Sequence, residues 1–346
     1  MSNARSFCIS TMRSASAIVT FLFCLLTING AFAASEIEEN EKVTAAVQDA
    51  FLKDRFAELN EVSRSYRVKK SRTPSGLWLL TWFYSGIGSA MVAQTEGRER
   101  EPAYRELERR TMRWAEKYPD SPTAHIAHSM ALIDHAWAYR GERYAIAVKP
   151  EAWAPFRRYI SLARENLEKH KAVAAVDPAW YETMLTIARA ENWEREQFES
   201  LLTEALSREP LFYQTYFLAL EYLLPKWHGS TKEIEEFAQS AVKKTVKDEG
   251  RGMYARIYWF ASQTEFKNEL FTGSFANWPR MKDSFDDIVV KYPDAWNLNN
   301  YAKFACLAKD KTQTRNLLKR IGSATIPEAW SPEPLLDQCV VWAKLP

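Results

Sequence analysis

The sequence predicts an all-α chain, a right-handed α-solenoid of about six antiparallel helix pairs, and three observations carry that reading. Apolar residues recur at helical spacing, most cleanly where Phe198, Leu201, Leu202, Ala205 and Leu206 fall at i, i+3, i+4, i+7 and i+8. Proline follows Glu101, Ser121, Asp177, Glu209 and Ser331, a position just inside a helix start where its missing N–H leaves no bond unmade. The tetrapeptide Lys-Tyr-Pro-Asp occurs at 117–120 and again at 291–294, each time closing one expected pair and opening the next. No segment has a strand period of any strength.

Taken in order, the first thirty-three residues read as a signal peptide. Arg5 and Arg13 precede the apolar run 17–28, which is too short to span a bilayer, and Ala31-Phe32-Ala33 offers the small residues of a cleavage site after Ala33. Cys24 follows Phe23 in mid-run, so a lipid anchor is not expected. Residues 34–76 form an N-terminal helix, over Glu36–Val68, and a loop containing Pro74 and Gly76. Residues 77–346 hold the repeats. The pairs are 77–93 with 102–118, 121–140 with 155–176, 178–192 with 194–208, 211–224 with 231–246, 253–270 with 278–292, and 296–308 with 312–321. The segment 77–93 is almost wholly apolar, but Gly86, Gly88 and Ser89 interrupt it before bilayer thickness, which fits a helix buried among others. Ser230 and Glu233 have capping-box spacing.

Charge excludes one class of partner. Arg5 and Arg13 are the only charged residues in the leader, so the remaining 313 residues carry 44 basic and 44 acidic side chains. No basic stripe for nucleic acid is present, and the runs Arg67-Val68-Lys69-Lys70 and Lys243-Lys244 read as solvated surface. No integral membrane segment is expected once the leader is removed. Cys306 and Cys339 are the two cysteines beyond the leader. In an oxidising compartment they form either a bridge worth roughly 3–4 kcal/mol or two separate buried thiols.

The unit at 178–210 resembles a tetratricopeptide repeat, with Ala188, Ala205 and Pro210 at positions that its pattern fills with small residues and a terminal proline. Phe198 stands where the pattern expects alanine, so the repeats are degenerate, TPR-like ones. From Trp114 to Trp342 the chain resembles an exported bacterial family of TPR-like domains of unknown function. The residues that prompt this are 136–141 (AWAYRG), 224–229 (LPKWHG), 252–256 (GMYAR) and 296–302 (WNLNNYA). The resemblance implies a fold and a periplasmic or secreted location, and it implies no catalytic residue.

Little in the sequence points to chemistry. His125, His128 and His135 share one side of a helix, but His128 and His135 lie seven residues, about 10 Å, apart along its axis, too far for one zinc ion. No metal or cofactor is expected. Glu199-Ser200 resembles the Glu-Ser pair of soluble lytic transglycosylases, yet it falls on the polar face of an amphipathic helix, where nothing would raise a catalytic carboxyl's pKa. The thirteen tryptophans stand mostly at helical spacing with other apolar residues, which favours core over sugar platforms. Two places remain as binding candidates. One is the loop 225–229 with Trp227 and His228, which reads either as a recognition loop or as a turn stapling two helices. The other is Asn297, Asn299, Asn300 and Lys303, a set that either lines a peptide groove or forms a solvated face. The expectation is therefore a non-catalytic binding or scaffold protein for a protein or peptide, with a cell-wall-active, lytic transglycosylase-like enzyme as the alternative.

Overall fold

The computed structural model describes residues 35–141, 145–227, 229–331 and 335–344, and these residues are all-α, without a strand. The expected signal peptide, His228 and Pro332 lie outside them. Only an isolated bridge between Arg72 and Trp78 interrupts the helical pattern.

The helices run in order as α1 (Glu36–Leu52), α2 (Phe56–Lys69), α3 (Leu79–Thr95), α4 (Arg100–Lys117), α5 (Pro122–Arg140) and α6 (Pro150–Lys169). A short turn, α7 (Lys171–Ala174), precedes α8 (Pro178–Ala190), α9 (Arg195–Arg208), α10 (Tyr213–Tyr222), α11 (Thr231–Glu249) and α12 (Gly252–Ala261). The chain ends with α13 (Leu270–Gly273), α14 (Trp278–Lys291), α15 (Ala295–Leu307), α16 (Lys311–Ile321) and α17 (Leu335–Lys344). Most neighbours in sequence pack on one another, as α4 with α5, α5 with α6, α8 with α9, and α15 with α16, while α12 packs on α14.

Most starts follow the sequence signals. Ser121 and Asp177 cap α5 and α8 with proline directly behind, and Asp294 caps α15. Others differ: Pro210 lies in the turn before α10, which begins at Tyr213, and the helix expected from Pro155 begins at Pro150 and ends at Lys169. The stretch 36–68 is two helices, because Asp54 takes φ +54, a left-handed conformation that aspartate tolerates and a helix does not. The capping box sits at Ser35 and Glu38, whereas Glu233 turns its carboxylate to the Ser230 hydroxyl at 2.9 Å. Finally, α12 stops at Ala261 and passes into a π-helical turn, Ser262–Phe266.

Two apolar clusters form the core, one beneath α1–α10 and one beneath α10–α17, and Leu202 and Phe237 pack against both. Trp180, Met184, Leu201 and Leu206 are buried as their spacing predicts. Leu202 is only partly buried, since it lies at the seam between the clusters. Twelve of the thirteen tryptophans belong to these clusters, and Trp227 is the exposed one.

The glycines of α3 separate into two roles. A Cβ on Gly86 would stand 2.7 Å from Val47 Cβ and 2.8 Å from the Thr44 carbonyl, so α1 crosses α3 on bare backbone. Gly88 has nothing within 4 Å. Gly86→Ala is accordingly expected to lower the unfolding free energy by about 1–3 kcal/mol through overpacking. Gly88→Ala should raise it by about 0.5–1 kcal/mol through helix propensity. Paired urea melts check the opposite signs.

The N-terminal segment is the least local part of the fold. Running forward from α2, it touches the starts of α5, α8, α10, α12 and α15 or the turns before them. Asn60 Oδ1 accepts from Trp114 Nε1 and Ser121 Oγ at 3.0 and 2.6 Å, and Ser63 meets Thr123 at 2.6 Å. Arg67 pairs with Asp177 and Lys70 with Glu209, both at 2.8 Å, and Trp78 lies edge-on to Phe212. Arg72 reaches Glu249 at 3.4 Å, and the Ser75 carbonyl accepts from Arg256 and Asn297. Both Lys-Tyr-Pro-Asp segments meet this strap. Tyr118 and Asp120 line one cavity with Asn60, Arg64 and Arg67, while Tyr292 lies against Gly76 and under Arg72. Of the run read from sequence as solvated, Arg67 is drawn in by its pair with Asp177, whereas Lys69 and Lys70, like Lys243 and Lys244, are exposed, Lys70 pairing with Glu209 at the surface.

Candidate functional site

Where the strap ends, it closes the side of a cavity of about 430 Å³. Its walls are aromatic and come from four helices: Trp82 of α3, Phe217 of α10, Trp259 and Phe260 of α12, and Trp296 of α15. Ile37 of α1 and Leu77 complete the apolar surface. Phe260 stacks on Phe217 at 5.0 Å, and Trp259 packs against Trp296 and Phe285. Polar groups stand at the edges: Asn40 and Glu41 from α1, Gln263 from the π turn, and Glu328.

The donors at the polar base of this site are tied into the protein, while Asn40 Oδ1 and Asn297 Oδ1 are buried without a hydrogen-bond partner among the described residues. Glu36, 2 % exposed, accepts from Ser75 N at 2.8 Å and from Asn40 Nδ2 at 3.0 Å. Arg256 donates to the Ser75 carbonyl at 2.6 Å, and its guanidinium lies 4.9 Å from the centre of the Tyr213 ring. Asn297 donates to the same carbonyl and to that of Tyr292. Gly76 makes the turn possible: it holds φ +98, and a Cβ there would stand 2.7 Å from the Tyr292 ring. The backbone of one residue, Ser75, is thus gripped at its N–H by α1 and at its carbonyl by α12 and α15. Burial and the neighbouring Glu36 raise the Asp294 carboxyl, with burial the larger cause.

The sequence candidates fall elsewhere. Asn297, Asn299, Asn300 and Lys303 are all buried, and each donates a hydrogen bond inside the protein, while Asn297 Oδ1 has no partner among the described residues. Asn299 donates to the carbonyls of Ala295 and Ala324 and accepts from Ile326 N and Trp330 Nε1. Lys303 Nζ donates to the Ser331 carbonyl at 2.7 Å, and burial lowers its pKa to about 8. Asn300 turns back to Trp296 O. With Cys306, which bridges to Cys339 of α17, residues 299, 303 and 306 form one stripe of α15 that fastens the C-terminal connection. Trp227, 38 % exposed, lies under the Arg189 guanidinium at 5.6 Å. Its neighbour Lys226 is tied to Thr264 O and Glu265, beside the π turn that borders the cavity.

The histidines of α5 are held one by one. His125 bonds to Pro119 O and stacks on His170, His128 bonds to Thr111, and His135 lies between Glu108 and Glu101. Burial lowers the His128 pKa to about 4. Among the described residues, no group of three or more His, Cys, Asp or Glu is disposed to hold a metal ion. The Glu199 side chain is 62 % exposed.

A second, smaller cleft of about 220 Å³ brings Asp134 of α5 and Glu182 of α8 together among Met130, Ile133 and Leu218. Burial pushes the Asp134 pKa up to about 7, and burial with the Asp177 charge pushes Glu182 well above the usual carboxylate range. Neither has an ion pair, and Glu182 Oε1 is buried without a hydrogen bond. Sequence reasoning missed both, because in each case one polar residue on a mostly buried helix looks like any other. The sign of the linkage is fixed: a carboxyl raised in the fold holds a proton that the unfolded chain has lost, so stability declines as pH climbs from about 4 through 7. Asp134→Asn is expected to stabilise the protein by about 1–3 kcal/mol at pH 8 and hardly at all at pH 3.5. Urea unfolding of both proteins at the two pH values checks this.

Fold and site together define an all-helical protein with a preformed aromatic cavity walled by helices distant in sequence. No protein-family model, no curated protein and no solved structure matches the chain.

Proposed function

We propose that this chain is an exported, right-handed α-solenoid of about six TPR-like pairs that binds a protein or peptide partner without catalysing a reaction. The aromatic cavity bounded by α1, α3, α10, α12 and α15 carries the reading. It is concave, largely preformed and mostly apolar, with a few polar groups at its base and edges, as a recognition site for a bulky apolar group should be. The π turn at its border supports the same reading, since such turns gather at functional sites. The Cys306–Cys339 bridge suits an oxidising compartment, and no helix among the described residues is long and apolar enough to cross a membrane.

A photo-crosslinking amino acid placed at Gln263 is expected to trap a partner in cells, identified by mass spectrometry, whereas the same group at Glu199 should trap none. Equal labelling from both positions would count against the cavity. The Asp134–Glu182 cleft favours one rival, a cell-wall-active enzyme, because it joins two carboxyls with raised pKa values. That rival requires release of soluble fragments from purified peptidoglycan, and loss of the release in a folded Glu182→Gln variant.

A further inference from the structure

Resting on the reading of the aromatic cavity as a partner site, we infer that its occupant is a basic amphipathic helix of the partner, which inserts two apolar side chains and sets lysine or arginine against the rim. The argument begins with what the walls withhold. Trp82, Phe217, Phe260 and Trp296 offer flat apolar surface, and the backbone-binding groups at the base are already used, with Arg256 and Asn297 both donating to Ser75 O. A sugar would leave most of its hydroxyls against apolar wall, because the polar groups of the rim, Asn40, Glu41, Gln263 and Glu328, are few. An extended peptide would find no strand edge, since the described residues contain no strand. A helix makes its backbone bonds internally and needs from its host only apolar walls, reached by side chains one turn apart.

The charge follows from the rim. Glu41 and Glu328 are exposed beside the cavity, and neither forms an ion pair with a described residue. The one cation of the lining, Arg256, is 5 % exposed and bonded to Ser75 O. An anionic amphiphile, such as a fatty acid, would bring its carboxylate to two glutamates. A basic helix would bring opposite charge to both, which favours encounter and orientation.

The test uses the full chain after leader removal and two synthetic helices of about five turns with the same leucine face, one bearing lysines and the other glutamates. Binding is read by tryptophan fluorescence and calorimetry at physiological salt. The lysine peptide is expected to bind about tenfold more tightly or better than the glutamate peptide, and Glu41→Lys with Glu328→Lys should reverse the order. Equal affinity, or no response to the double reversal, overturns the charge inference while leaving the cavity as a partner site. Trp82→Ala and Phe260→Ala, two wall positions on different helices, should each weaken both peptides, with circular dichroism melts confirming the fold. Unchanged binding in both folded variants overturns the cavity reading itself. Palmitate occupying the cavity in preference to either peptide overturns the helix as occupant.

Discussion

Replacing Asp177 by alanine is expected to lower the unfolding free energy by about 3–5 kcal/mol, the largest effect of any single substitution away from the apolar core. Asp177 is wholly buried and does three things at once. Its Oδ1 accepts from Ala179 N and caps α8, while Oδ2 accepts from Arg67 at 2.8 Å and from the Tyr84 hydroxyl at 3.0 Å. Alanine would remove the cap and leave a guanidinium 14 % exposed without its counter-charge. Asp177→Asn keeps a good capping group and should lose less, and adding Arg67→Met should recover part of that loss because no unpaired charge then remains. Burial raises the Asp177 carboxyl in spite of Arg67, so the pair owes its value to being complete rather than to being ionic. Denaturant melts give the magnitudes. A cost below about 1 kcal/mol for Asp177→Ala would show that the strap is not held at this junction.

The second large effect belongs to the disulfide. Changing Cys306 and Cys339 together to alanine is expected to cost about 3–4 kcal/mol, as closure of a loop with sequence separation 33 implies. Both cysteines are buried, at 5 % and 1 % exposure, so alanine avoids placing new polar groups in the core. The loss should concentrate in α17 and the connection before it, the segments that the bridge ties to α15 beside the hydrogen bonds of Asn299 and Lys303 and the packing of α17 on α16. Hydrogen exchange resolved by peptide reads where protection falls, and intact mass before and after reduction and alkylation establishes that the bridge is present. Uniform loss of protection across the chain would contradict the local role.

These expectations show which information is local. Helix identity was legible because a 3.6-residue apolar period and a capping residue are properties of a short window, and α8, α9, α15 and α16 appear within a few residues of their predicted bounds. The disulfide was legible as one of two outcomes, because only two of the four cysteines lie beyond the expected leader. The two Lys-Tyr-Pro-Asp segments were legible as junctions, though not as the places where the strap lands.

The site was not legible, and α15 explains why. Asn297, Asn299, Asn300 and Lys303 look like a polar recognition face when only the helix is considered. In the fold, Asn297 answers the carbonyl of Ser75, while Asn299 and Lys303 answer backbone carbonyls at 324 and 331. A polar side chain is buried wherever a distant segment brings an unpaired backbone group to it, and nothing within one helix reports that arrival. The same holds for the pair Arg67 and Asp177, one in a basic run and the other a helix cap, 110 residues apart. Trp82, Trp259 and Trp296 were read as core from their spacing, and each does pack against it. What their spacing could not say is that helices α3, α12 and α15 leave a gap there. By itself, then, the sequence determined most of the helices and their caps, since each depends on residues a few positions apart. The strap, the buried ion pair and the aromatic cavity were decided by tertiary structure, because each exists only where segments distant in the chain meet.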